Sequence, residues 1–189
     1  MEEGIELRRR GFGPSALATP ANAITVGRLV VVPFLIALIL FQGPSPWSVT
    51  VWMVLAATDG LDGLVARRQG ATRSGAFLDP LADKVLLLGA LVALVIKKQL
   101  WWLPVALIAA REVSMSIYRV HAGRRGISIP ARTTAKAKTW LQDGAVAFAL
   151  FSPLAVDHPR IVGWVLWAAV ALTLWTGVEY MIDAKRVTA

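Results

Sequence analysis

The apolar residues of this chain gather into six runs, near 24–42, 47–68, 77–96, 100–119, 134–154 and 160–183. Each run has roughly the twenty residues that carry a helix across about 30 Å of hydrocarbon at about 1.5 Å per residue. The pattern predicts an all-α, polytopic membrane protein with six transmembrane helices. Polar sequence separates the runs, and the longest connection, 120–133, holds Gly123, Arg124, Arg125, Gly126 and Pro130. Ahead of the first run, residues 1–21 mix Glu2, Glu3 and Glu6 with Ile5, Leu7 and Phe12 around Arg8, Arg9 and Arg10. That mixture suits a short amphipathic helix lying on an anionic membrane surface, ended by Pro14 and Pro20. The first run follows polar sequence and has no small-residue cleavage site, so it reads as a retained helix and not a signal peptide. The chain therefore divides into an N-terminal juxtamembrane segment, 1–21, and one six-helix domain, 22–189, without internal repeats.

Composition agrees: 56% of the 189 residues are hydrophobic and mean hydropathy is +0.59, above the range of soluble proteins. Cysteine is absent, which excludes disulfides, thiolate catalysis and zinc–thiolate sites. The two histidines, His121 and His158, both read as loop residues away from the acidic cluster described below. A net charge of +8 would suit nucleic acid, but its distribution suits a membrane better. Fourteen of the twenty Lys and Arg residues, including Arg8 to Arg10, Arg67, Arg68, Arg119, Arg124, Lys136 and Lys185, fall on one side of the six-helix arrangement. Lys97, Lys98 and Arg160 fall on the other, and Arg28, Lys84 and Arg111 lie within the runs. The positive-inside rule places both termini and the turn between the second and third helices in the cytoplasm. The expected setting is a bacterial cell membrane, with no nucleic-acid partner. Trp47, Trp52, Trp101, Trp102, Trp164 and Trp167 sit near the opposite helix ends and read as interfacial anchors.

Four carboxylates interrupt this apolar sequence within 25 residues. Asp59 and Asp62 share a face with Ala66 at spacings of three and seven, while Gly75, Asp79 and Asp83 step by four. Two such faces turned together would make an oxygen cage with a charge of about −4, suited to two hard divalent cations, Mg²⁺ or Mn²⁺. A bimetal carboxylate site serves displacement at phosphorus. Intramembrane carboxylates also serve divalent-cation or proton-coupled transport, but that use leaves Gly63 and Arg67 without a role. Gly60 and Gly63 let a ligand approach the helix backbone, and Arg67 is placed to reach a phosphate.

The run Asp59-x-x-Asp-Gly-x-x-Ala-Arg67, followed by Gly75-x-x-x-Asp-x-x-x-Asp83, resembles the signature of the CDP-alcohol phosphotransferase family over eight positions. The spacer between Arg67 and Gly75 is seven residues, a length that the family's pattern tolerates. Asn22-Ala-Ile-Thr-Val-Gly-Arg28 is similar to the family's segment opening helix 1. Phe77-Leu-Asp-Pro-Leu-Ala-Asp-Lys84, Ala110-Arg-Glu112 and Lys136-Ala-Lys-Thr139 with Gln142 resemble its glycerophosphate- and cardiolipin-forming branches. The resemblance covers roughly residues 20–145; the sixth helix adds nothing specific.

It implies that Asp59, Asp62 and Asp79 ligate metals, and that Asp83 completes the second metal site and acts as general base. Gly63, Ala66, Arg67 and Thr72, with Thr25 and Arg28, would line the CDP-diacylglycerol pocket. The implied reaction is attack on the phosphorus that bears diacylglycerol, expelling CMP. Arg111 and Arg119, eight residues apart and about 12 Å along one face, make with Lys138 a basic set for the acceptor's phosphate. Arg111 lies deep enough to need a partner; Glu112, on a different face, is not assumed to be it. sn-Glycerol 3-phosphate is the acceptor expected first. Phosphatidylglycerol, as in cardiolipin synthesis, and inositol phosphate are the alternatives. Family members are often homodimers, so a homodimer is a further implication.

Overall fold

A computed structural model describes residues 20–69, 75–124 and 133–188. These residues form six α-helices: α1 (Pro20–Gln42), α2 (Pro46–Gln69), α3 (Gly75–Ile96), α4 (Trp102–Arg124), α5 (Thr133–Leu150) and α6 (Pro159–Thr188). A π-helical turn, Pro153–Asp157, precedes α6, and the described residues contain no strand. Every predicted apolar run is thus helical. Two stretches among the described residues, Ala23–Gln42 and Pro159–Ile182, are long and apolar enough to cross a membrane, and α2 is apolar over Pro46–Thr58. The expected amphipathic segment, residues 1–21, lies outside the described residues except for Pro20 and Ala21, which open α1.

Helix ends follow local chemistry. Proline opens α1, α2 and α6, at the position where a missing N–H leaves no intrahelical bond unmade. Gly43 ends α1 in the left-handed conformation, φ +71°, and its N–H donates to the Ile39 carbonyl at 2.8 Å. Ser48 closes the turn by donating its hydroxyl to the Gly43 carbonyl at 2.9 Å. The fifth run was expected to reach residue 154, but α5 stops at Leu150. Pro153 supplies no N–H to continue the ladder. In turn α4 continues to Arg124, so His121 is helical and exposed and not a loop residue.

Packing divides the bundle: α1 lies chiefly on α3 and α2, and α6 on α5 and α4. Its apolar core includes Val32, Leu35 and Ile39 of α1, Ala90, Leu91 and Leu94 of α3, Val146 and Ala149 of α5, and Leu166 and Ala169 of α6. Small residues at these contacts let helices approach closely. Trp52 departs from the expected interfacial role. It is 1% exposed, and its indole N–H donates to the Asp143 carbonyl at 3.2 Å, tying α2 to α5. A buried indole needs such an acceptor. Trp47, Trp101, Trp102, Trp164 and Trp167 are exposed, with Trp101 and Trp167 in ring contact at 6.0 Å.

α1 packs tightly on α3 at Gly89, where an added Cβ would lie 2.8 Å from Ile36 Cδ1. Gly89→Leu is expected to lower stability by about 1–3 kcal/mol, with part recovered by adding Ile36→Ala. Thermal unfolding of the detergent-solubilised variants checks this; an unchanged midpoint in the single variant would contradict the packing described.

Candidate active site

Charged side chains collect at one end of the bundle. In α1, Arg28 is 2% exposed, and its guanidinium donates to Asp83 Oδ1 at 2.6 Å, joining α1 to α3. The Asp83 side chain remains 46% exposed, so one oxygen is anchored while the carboxylate faces solvent-accessible space. Thr25 is buried one turn before Arg28. Asp59, Asp62, Gly63, Ala66 and Arg67 fall within α2, and Asp79 falls in α3 one turn before Asp83. The helical backbone therefore has the register the spacing predicted; the side chains of these six residues, and Thr72 entirely, lie outside the described part. Among the described residues no three acidic, histidine or cysteine side chains gather. The oxygen-only donor set, with neither thiol nor imidazole, suits a hard divalent cation.

Asp83 opens onto a cavity of 460 Å³ whose walls include Arg28, Lys84, Glu112, Arg119, Lys136 and Lys138. A second cavity, 390 Å³ and almost wholly apolar, lies between α1 and α2 against Ile24, Val31, Phe34, Val51, Val54 and Leu55. Arg28 belongs to both.

Glu112 is the hub of the far wall. It is 6% exposed and accepts from the Lys138 ammonium of α5 and from Arg111 Nη1 at 3.0 Å. Arg111 Nη2 continues to Thr176 Oγ1 on α6, also at 3.0 Å. Arg111 passes close over Gly177, where an added Cβ would sit 3.4 Å from Arg111 Nε. Further along the same stripe of α6, Thr173 accepts from Gln142 at 2.8 Å and Glu179 accepts from the Thr134 hydroxyl at 3.0 Å. Arg119 lies over the Tyr180 ring, 5.6 Å from its centroid, and Tyr118 meets Tyr180 edge to face at 5.7 Å.

The expected basic face of Arg111, Arg119 and Lys138 is thus divided. Arg119 and Lys138 line the cavity, whereas Arg111 is turned toward α6 and is not among the lining residues. Glu112, set aside from the spacing, is the partner of both Arg111 and Lys138: neighbouring positions on α4 reach one ion-pair network when a second helix, α5, brings Lys138 over them. Lys84 and Asp143 also line the cavity without having been picked out. The available signal was the same for both, a charge inside an apolar run. Nothing in α6 announced Thr173, Thr176 or Tyr180, because hydroxyl-bearing side chains are ordinary in apolar helices.

Residues 18–175 match the family model described as CDP-alcohol phosphatidyltransferase. The chain is similar to a Mycobacterium tuberculosis (strain H37Rv) protein named "Probable phosphatidylglycerophosphate synthase", with 42% identity over 181 residues, covering 92% of this chain and 85% of the relative. Proteins named "CDP-diacylglycerol--glycerol-3-phosphate 3-phosphatidyltransferase" from Escherichia coli (strain K12) and Salmonella choleraesuis are each 36% identical over 173 residues, covering 86% of this chain and 92% of the relative.

Removing the hub carboxylate strands the buried Lys138 and the largely buried Arg111. Glu112→Ala is expected to cost about 3–5 kcal/mol of stability, and Glu112→Gln less, since the amide keeps an acceptor oxygen. Unfolding midpoints of the purified variants measure this; Glu112→Ala as stable as the unmutated chain would refute the hub role.

Proposed function

The chain belongs to the CDP-alcohol phosphatidyltransferase family, and on that premise we propose that it transfers the phosphatidyl group of CDP-diacylglycerol to sn-glycerol 3-phosphate. The products are phosphatidylglycerol phosphate and CMP. The observation that carries the reading is the meeting of an apolar cavity and a charged one at Arg28. A donor with two acyl chains and a nucleotide diphosphate has those two halves: its chains suit the α1–α2 side, and its phosphates suit the end bearing Arg28. Names of relatives that specify the same donor and acceptor support it further.

In this reading all six helices span the membrane as one domain, 22–189, with termini and site on the cytoplasmic side, where most of the Lys and Arg residues lie. Thr25, Arg28, Gly63, Ala66, Arg67 and Thr72 hold the donor's CDP. The family is divalent-metal dependent; two Mg²⁺ or Mn²⁺ ions, held by Asp59, Asp62, Asp79 and Asp83, would neutralise the diphosphate's charge. Asp83 takes the proton from the acceptor's primary hydroxyl. As the oxygen–phosphorus bond forms, the bond from that phosphorus to the CMP oxygen breaks, and CMP departs with the electron pair. Arg28 orients the base by holding one of its oxygens, which leaves the exposed part of the carboxylate to face the hydroxyl. Arg119 and Lys138 add positive charge to the cavity that receives the acceptor's phosphate, and Arg111 acts from behind by holding Glu112.

Purified protein given CDP-diacylglycerol, Mg²⁺ and an acceptor panel is expected to release CMP with sn-glycerol 3-phosphate in preference to phosphatidylglycerol, inositol phosphate or serine. Chelation of the metal stops release, and Asp83→Asn lowers turnover by about 10²–10⁴. No CMP release with sn-glycerol 3-phosphate would refute the proposal; ion flux in liposomes without CMP release would favour transport.

A further inference from the structure

We infer that Lys84 is the principal binding residue for the acceptor's phosphate monoester, an assignment that rests on the transfer reaction proposed above. The cavity beside Asp83 has five cationic residues in its wall, Arg28, Lys84, Arg119, Lys136 and Lys138, and they are not equivalent. Arg28 is committed to Asp83 and Lys138 to Glu112. Arg119 is exposed and lies against Tyr180, and Lys136 is also exposed. Lys84 alone among the five is partly buried and, among the described residues, makes no ion pair or hydrogen bond. A partly buried ammonium that faces a cavity with its three donors unbonded is a ready site for an anion's oxygens.

Its position fits a particular ligand. Lys84 follows Asp83 on α3, so the two are neighbours on adjoining faces of one helix and both border the same cavity. A small molecule bearing a phosphate at one end and a hydroxyl at the other would place its anion on Lys84 while its hydroxyl stays beside Asp83. The three donors of an ammonium suit the oxygens of a phosphate monoester. Glu112, already shared by Arg111 and Lys138, borders the same cavity and, with Asp83, acts on Lys84 through charge without bonding it, so the ammonium's donors stay open. The phosphate is thereby directed toward Lys84, with Arg119 at the exposed side. Lys84 confers selectivity for phosphorylated alcohols in this arrangement; an unphosphorylated alcohol gains nothing from it.

The test is calorimetric titration of inorganic phosphate, and separately of CMP, into the purified full chain, Lys84→Met and Lys84→Arg. Phosphate affinity should fall about tenfold or more in Lys84→Met and return to within about threefold of the unmutated value in Lys84→Arg, with CMP affinity unchanged within about twofold in both. In turnover assays the KM for sn-glycerol 3-phosphate should rise with the phosphate dissociation constant while the KM for CDP-diacylglycerol holds. Equal phosphate affinity in Lys84→Met, no phosphate binding by the unmutated chain, or joint loss of phosphate and CMP binding would overturn the assignment. Phosphate binding that depends on Lys84, in a chain that releases no CMP with any acceptor, would uphold Lys84 and refute the proposed transfer. Normal turnover with an unchanged acceptor KM in Lys84→Met would refute Lys84 alone.

Discussion

A single buried carboxylate, Glu112, organises the charged end of the bundle. Lys138 reaches it from α5 and Arg111 from its own helix, and Arg111 passes the connection on to Thr176 of α6. Three helices are thereby held in register by one acceptor group. In surroundings of low dielectric such pairs are strong when complete and costly when broken, so they set an arrangement more firmly than apolar contact alone. Around them the apolar core supplies close packing with little direction, as expected where lipid is as apolar as the helices themselves.

A second charge pair, Arg28 with Asp83, does for α1 and α3 what Glu112 does for α4, α5 and α6. The two pairs border the same cavity. Together they pair four of the cavity's eight charged lining residues with one another, so its anion-binding capacity is concentrated at the cations left over. The opposite end of the bundle is joined differently, by hydroxyl-to-carbonyl bonds such as Ser48 to Gly43 and Ser152 to Pro44 and by the Trp101–Trp167 contact. Neutral contacts suffice where no chemistry is required. Arg28 also borders the apolar α1–α2 cavity, which puts a charge at the junction between a lipid-like environment and a polar one. That junction is the physical requirement for any reaction at the head of a lipid substrate.

The six helices, their order and the helical register of Asp59 with Asp62 and Asp79 with Asp83 were readable from the chain itself. So was the family, through spacings confined to two helices and one turn. These features are local: a helix has a fixed rise and a fixed rotation per residue, so distances in sequence become positions on a face without knowledge of any neighbour. Other properties were decided by tertiary structure alone. Trp52 looked like an interfacial anchor and is core, because the rotation of α2 points it at the Asp143 carbonyl. Arg111 looked like a cavity residue and faces α6, because the Thr176 hydroxyl accepts from it there. The pairing of Glu112 with Lys138 joins residues 26 positions apart, and which of the cations stays unpaired depends on every such pairing at once. Periodicity along one helix carries no information about the rotation and crossing of the next, and those rotations decide which charges meet.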